Sequence, residues 1–304
     1  MGSYAGHVLP GSFFIVFGLW WWFHVLALIA RAHARFLKHR FNNARIDFEL
    51  EFESTTWCKV PVSCLKRFPV EPCLKVITAT VGIIADLISA EWSLFDKSSG
   101  HFANLKNFSH SAMYSIFLLG GVVEILRFYS IIFLPASIDH VLTSLGFLLV
   151  GELLYYHIEG RSELDQTLHI MLCFVAFSVT VILLLEAWQR RSFMLFVTRT
   201  FLVLLLGTWF IQIAHALFGA HPWQNIESNR AFVVIAFSWH VLGLLVACIC
   251  SVLAVNVFVR VKTSTCVDRS DCDENFTLAT SEVATELHNL IPAEQVNEEV
   301  TPIC

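Results

Sequence analysis

The chain has 304 residues, 56% of them apolar and 15% charged, with 27 phenylalanines and a formal net charge of −5. Soluble domains carry roughly 25% charged residues, so this composition excludes an ordinary water-soluble globule and favours a bundle whose outer surface meets lipid. The net charge says little taken whole, because it is divided between segments of opposite sign.

Seven stretches are apolar enough to cross a bilayer core of about 30 Å, which takes roughly 20 helical residues. They predict an all-α, seven-helix transmembrane bundle over residues 1–260. The first span covers 8–30. No Lys or Arg precedes it and its apolar run exceeds a signal-peptide core, so it reads as an uncleaved anchor. A long loop over 31–73 follows, basic from Arg31 to Arg40 and acidic from Asp47 to Glu53. The second span, 74–92, is the most polar because it carries Asp86. The third and fourth, 109–133 and 138–157, are joined by the short turn Leu134-Pro135-Ala136-Ser137. The fifth, sixth and seventh cover 168–188, 194–219 and 231–258. Residues 261–304 are acidic and polar and read as a disordered tail.

Orientation follows from the basic residues. With the N-terminus luminal or extracellular, 16 of the 20 Lys and Arg residues lie on the cytosolic side, opposite Lys97, Lys106, Arg161 and Arg230. That is a positive-inside distribution, and it makes the tail cytosolic. None of the nine cysteines falls in an outer loop, which predicts reduced thiols and no luminal disulfide. In the tail, Glu286-Leu287-His288-Asn289-Leu290-Ile291 has the form of an acidic dileucine sorting signal. An extended peptide of this kind buries Leu290 and Ile291 on a clathrin adaptor while Glu286 meets a basic patch. The basic loop lacks the interleaved aromatics of a nucleic-acid surface.

Ionisable residues inside a membrane are costly and therefore informative. Most gather at the outer end. His7 precedes the first span, Glu91 ends the second and His110 opens the third. His157 closes the fourth, Asp165 and His169 open the fifth, and Gln212 and His215 lie toward the end of the sixth. His240 lies within the seventh. Three readings are open: interfacial residues in ordinary interhelical hydrogen bonds, a metal site of imidazoles and one carboxylate suited to zinc, or a proton-sensing or proton-relay cluster. For a metal, the expected ligands are His157, Asp165, His169 and His240, then His110, with Glu91 or Gln212 beside an imidazole N–H. Toward the inner end, Glu124 with Arg127 and Glu186 with Arg190 are spaced for intrahelical salt bridges. Asp86 has no charged neighbour at those spacings, so its partner must come from another helix.

Several phrases carry a resemblance. Gly6-His7-Val8-Leu9-Pro10-Gly11 with Phe14 and Gly18-Leu19-Trp20-Trp21, then Ser109-His110-Ser111-Ala112-Met113-Tyr114, Tyr156-His157 with Leu164-Asp165 and His169, Trp209-Phe210-Ile211-Gln212, and Trp239-His240 resemble the transmembrane protein 45 family over about 1–260. The resemblance implies a multipass protein of Golgi and endolysosomal membranes with no catalysis to carry over. It adds His7, Trp209 and Trp239 to the polar pocket. This chain departs from the family at Ser109 and Glu159, where histidines are expected. The seven-helix hydrolases and receptors that bind zinc through three His and an Asp are a poorer match, since the last span holds only His240.

These readings converge on an endomembrane protein with a His- and carboxylate-lined luminal pocket, acting in trafficking or membrane homeostasis without demonstrable catalysis. Its partners are the lipid bilayer and, through the tail, a clathrin adaptor; the plasma membrane is the alternative location. The competing functions are a zinc-dependent membrane hydrolase for a lipid or acyl substrate and a proton-sensing or transport protein.

Overall fold

The computed structural model describes residues 3–41, 52–60, 67–96, 98–135, 137–156 and 158–267. Seven helices carry these residues: α1 Tyr4–Phe41, α2 Val70–Ser89, α3 Leu105–Phe128, α4 Ile138–Tyr156, α5 Glu163–Trp188, α6 Phe193–Phe218 and α7 Glu227–Val267. All seven are long and apolar enough to cross a membrane. The chain is an all-helical integral membrane protein. In lipid the helix is favoured because it satisfies every backbone polar group within one segment. Large apolar side chains such as Phe133, Phe174, Leu242 and Val257 remain exposed, as expected where the solvent is hydrocarbon.

The helix limits differ from the sequence reading in informative ways. α1 continues through the basic stretch to Phe41, and α7 runs to Val267, since Arg and Lys are good helix formers and need not stop a helix at the lipid boundary. α2 stops at Ser89, and the chain then turns through Glu91, Trp92 and Asn104, all with positive φ. α5 starts at Glu163, capped by Ser162, whose hydroxyl accepts from the Asp165 N–H. The expected tail boundary at 261 falls inside α7.

The core lies between α4, α5 and α6, with Trp21 and Val25 of α1 packed on it. α1 packs most extensively on α6, α2 on α3, and α4 on α5. α1 and α2, although consecutive, barely approach one another. The α1–α6 contact is close because glycines face each other. A Cβ on Gly207 would lie 2.8 Å from the Ile15 nitrogen and 2.9 Å from the Gly11 carbonyl oxygen, and one on Gly11 would lie 3.0 Å from the Gly207 carbonyl. Small residues that let backbones meet are a principal means of helix association in lipid.

This crossing gives a first prediction. Gly207→Val should destabilise the detergent-purified protein by about 1–3 kcal/mol or more, the cost of overpacking against atoms that cannot yield. Gly243→Val, where nothing lies within 4 Å of the added Cβ, should leave the thermal midpoint near wild type. Equal midpoints for both variants would show that the crossing is not close.

Candidate functional site

A partly open cleft of about 130 Å³ lies among α1 to α6. Its middle is walled by Phe13, Phe14, Phe17, Phe117, Phe147 and Phe210. Phe14 stacks on Phe210 with centroids 5.9 Å apart, and Phe117 meets Phe147 edge-on at 5.4 Å. His7, His110 and His169 border the cavity on the side of the α1 amino terminus, and Lys75 and Glu124 border it on the other. It is an aromatic cleft between α1 and the α2–α3 hairpin, with polar chemistry at both ends.

At the amino-terminal end, Arg161 donates to Asp165 at 2.8 Å, and Asp165 Oδ1 faces His169 Nδ1 at 2.7 Å. His169 Nε2 lies 3.3 Å from His7 Nε2. The pair Asp165 and His169 meets because α5 begins early enough to put both on one face. Asp86 finds its partner on another helix, as its isolation within α2 requires: His110 Nδ1 is 3.6 Å from its carboxylate. His240 sits apart, with Nε2 3.4 Å from Gln212 Oε1 and its ring edge-on to Trp209. His215 shares a hydrogen bond with the Tyr4 hydroxyl at 3.1 Å.

The residues predicted for a metal site thus fall into separate pairings. His169 and Asp165 adjoin each other, His110 pairs with Asp86, and His240 pairs with Gln212 on the α6–α7 face. His157 lies outside the described residues, as do Glu286, Leu290 and Ile291. Among the described residues no three His, Cys, Asp or Glu converge on a point where a metal ion could sit. Of the residues assigned to the pocket wall, His7 lines the cleft, while Trp209 is fully buried and donates to the Leu168 carbonyl at 3.0 Å. Glu91 and Trp239 lie away from the cleft. Glu91 lies beyond the end of α2 in an exposed turn. Trp239 is 62% exposed on the outer face of α7, because His240 takes the face toward α6 and its neighbour lies about 100° around the helix.

The opposite end holds a buried network that the sequence reading did not find. Residues 52–60 form a strap inserted among the helix ends. Glu71 of α2 accepts from Trp20 Nε1 at 3.0 Å, Trp21 Nε1 at 2.9 Å and the Cys58 N–H at 2.7 Å. Lys75 lies 2.9 Å from both Glu124 oxygens and donates to the Thr56 carbonyl at 3.0 Å. The Thr56 hydroxyl completes the set by donating to Glu124 at 2.8 Å. Next to it, Arg199 faces Glu186 at 3.0 Å, and the two side chains are 1% and 0% exposed. Arg199 also donates to the Thr55 carbonyl and lies over the Trp21 ring at 4.7 Å. The Ser54 hydroxyl donates to Glu186 at 2.7 Å and lies 3.3 Å from His140 Nε2.

The intrahelical pairs expected from spacing are therefore replaced. Glu124 pairs with Lys75, Arg127 with Asp139, Glu186 with Arg199, and Arg190 with Glu53. Burial decides this. A pair of neighbours on one helix leaves other buried charges of the bundle unpaired, whereas interhelical pairing gives Glu124, Glu186 and Arg199 each an oppositely charged partner. The signal available in sequence was the hydroxyl run Ser54-Thr55-Thr56 beside Trp57, which reads equally well as polar loop. Burial and the Glu71 carboxylate push the Cys58 thiol well above its usual range.

Residues 136–253 match the family model described as "Family of unknown function (DUF716)". Transmembrane epididymal protein 1A of Mus musculus is 26% identical over 250 residues, covering 80% of this chain and 77% of the relative. Transmembrane epididymal protein 1 of Rattus norvegicus matches with the same identity and coverage. The Homo sapiens protein of that name is 28% identical over 144 residues, covering 45% of this chain and 52% of the relative. These findings correct the resemblance to the transmembrane protein 45 family, since the similarity is to a different family. The phrases behind that resemblance include packing positions. Gly11 lies in the α1–α6 crossing and Trp209 in the α5–α6 core, and such residues recur wherever helices meet closely.

The buried network makes a stability prediction. Lys75→Met leaves Glu71 and Glu124 facing one another without their shared cation and should cost about 3–5 kcal/mol. Adding Glu124→Gln should recover a substantial part of that loss, because the remaining carboxylate is still held by Trp20, Trp21 and Cys58. Thermal unfolding of the two variants in detergent measures both effects. A double variant no more stable than the single one would remove Glu124 as the partner of Lys75.

Proposed function

We propose that this membrane protein admits the end of a hydrocarbon chain from the bilayer into the cleft between α1 and the α2–α3 hairpin. In this reading it serves membrane homeostasis or trafficking by holding that chain rather than by transforming it. The observation that carries the reading is the cleft itself: six phenylalanines line it, and the consecutive helices α1 and α2 barely approach one another. Such a gap gives a membrane ligand lateral entry. An apolar cavity of about 150 Å³ holds a molecule the size of benzene, so this cleft takes a few methylenes or a ring and leaves the rest of the ligand among the surrounding lipids. The polar groups at the opposite end are consumed by the ion network, which favours holding over chemistry. The distribution of Lys and Arg supports a luminal or extracellular N-terminus and a cytosolic tail.

Photoreactive phosphatidylcholine with a diazirine near the acyl terminus, reconstituted with the protein, tests the cleft. Cross-links should map to Phe14, Phe117 and their neighbours. Gly120 borders the cleft, and a Cβ there meets nothing within 4 Å. Gly120→Leu should therefore reduce cleft labelling several-fold without lowering the thermal midpoint. Labelling confined to outward faces such as that of α7 would refute the proposal.

For location, the acidic dileucine pattern supports an endosomal or lysosomal address reached through a clathrin adaptor. Replacing Leu290 and Ile291 together by Ala should shift the protein to the cell surface, read by surface biotinylation. An unchanged surface fraction would leave Glu286, Leu290 and Ile291 without a sorting role.

A further inference from the structure

The connection from α2 to α3 is a small fixed hairpin that turns aromatic rings outward. Glu91 and Trp92 take left-handed backbone conformations, with φ of 51° and 55°, and so does Asn104, with φ of 56°. Residues other than glycine rarely adopt this region, and they persist there only where the surroundings fix them. Here the Asn104 side-chain amide donates to the carbonyls of Ala90 and Ser93, both at 3.1 Å. Between these points Phe95 and Phe102 form an antiparallel bridge. The Asp96 N–H donates to the His101 carbonyl at 2.9 Å, and the Ala103 N–H to the Leu94 carbonyl at 2.8 Å.

Bridge partners project to the same face, and the two phenylalanine rings meet with centroids 4.8 Å apart. They nevertheless stay 50% and 64% exposed, and Trp92 is 66% exposed. The turn beyond them is polar: the Asp96 carboxylate accepts from the Ser98 N–H and from the hydroxyls of Ser98 and Ser99. The loop thus sorts its side chains, aromatic near the helices and polar at the tip.

The helices that carry the loop say what covers the rings. α2 has 20 residues, about 30 Å at 1.5 Å per residue, which matches the hydrocarbon core of a bilayer. Its exposed Ile77, Val81, Ile84 and Ile88 recur at the spacing of one helical face, a lipid-facing stripe. The chain runs from the end of this stripe straight into Trp92. Phe102 stands three residues before α3 begins at Leu105, no more than about 10 Å along an extended chain. We propose that the α2–α3 loop is a membrane anchor, which sets Trp92, Phe95 and Phe102 in the interfacial layer of the leaflet on the side of the α1 amino terminus.

Aromatic rings at the ends of membrane spans are favoured at that boundary, where an apolar body and polar surroundings coexist. Residues 90–104 hold Glu91 and Asp96 against Lys97, too little positive charge to seek anionic headgroups, so the partner is the zwitterionic phospholipid interface. The same hairpin forms one side of the cleft, and anchoring its loop fixes the depth of that side in the leaflet. The anchor does not depend on a chain entering the cleft.

The test uses the full chain in phosphatidylcholine nanodiscs, with p-benzoylphenylalanine incorporated in place of Phe95, Phe102, Ile84 or Ser98. Ultraviolet illumination followed by mass spectrometry counts the phospholipid adducts. Probes at Phe95 and Phe102 should label about as well as the one at Ile84 on the lipid-facing stripe, and several-fold more than the one at Ser98. Labelling at Phe95 and Phe102 as low as at Ser98, beside a labelled Ile84 position, would overturn the assignment. Trp92→Phe gives a second measurement free of the bulky probe. The emission that this variant loses relative to wild type should be quenched by phosphatidylcholine brominated near the headgroup and spared by aqueous iodide. The reverse pattern would likewise overturn it.

Discussion

The arrangement of the bundle depends on how one carboxylate, Glu71, is satisfied. It stands at the start of α2, 3% exposed, and receives hydrogen bonds from two indoles of α1 and one backbone N–H of the strap. Helices α1 and α2 otherwise barely approach each other. These bonds therefore join α2 to α1 at one end, while α3 packs on α4, and α1 and α2 stay apart along the cleft. Lys75, one turn further along α2, extends the junction to Glu124 of α3 and the carbonyl of Thr56. A hairpin that packs on α4 through α3, and meets α1 through Glu71 at one end of α2, leaves an apolar cleft with an ionic floor.

The strap explains why so much charge is tolerated there. Three carboxylates, Glu71, Glu124 and Glu186, face only two cations, Lys75 and Arg199. Desolvated charges are stable only when hydrogen bonds take up what the ion pairs leave over. Ser54 and Thr56 provide hydroxyl donors to the carboxylates, and Thr55 and Thr56 provide carbonyls to the cations. An extended segment can serve both signs at once because its N–H and C=O groups are not consumed by a helix. This is backbone irregularity of the kind membranes allow only where it is buried in protein.

What could be read from the sequence divides along the same physical lines. The seven spans were legible because a bilayer imposes length and hydrophobicity locally, residue by residue. Asp165 with His169 was legible as a pair, because helical spacing is local too. The partners of Glu124 and Glu186 were not, since interhelical pairing depends on which helices become neighbours. Nor was the strap, whose Ser-Thr-Thr run has no periodicity. Trp239 faces away from the cleft for a related reason. Depth along a helix follows from sequence, whereas the side of the helix that faces inward depends on packing.

Helix α6 determines how the two cleft imidazoles meet. His7 belongs to α1, which is held on α6 by the Gly11–Gly207 crossing, so its position relative to α6 is fixed by contact of backbone with backbone. His169 belongs to α5, where the carbonyl of the preceding residue, Leu168, accepts from the Trp209 indole of α6. Trp209 is in turn held edge-on by Phe237 and His240 of α7, and Gln212, nearly one turn further along α6, engages His240. α7 thus contributes no residue to the cleft, yet it fixes the indole that sets the register of α5. Both histidines are placed against one ruler, through contacts that have little freedom to relax. Two imidazoles held in this way meet with their Nε2 atoms 3.3 Å apart.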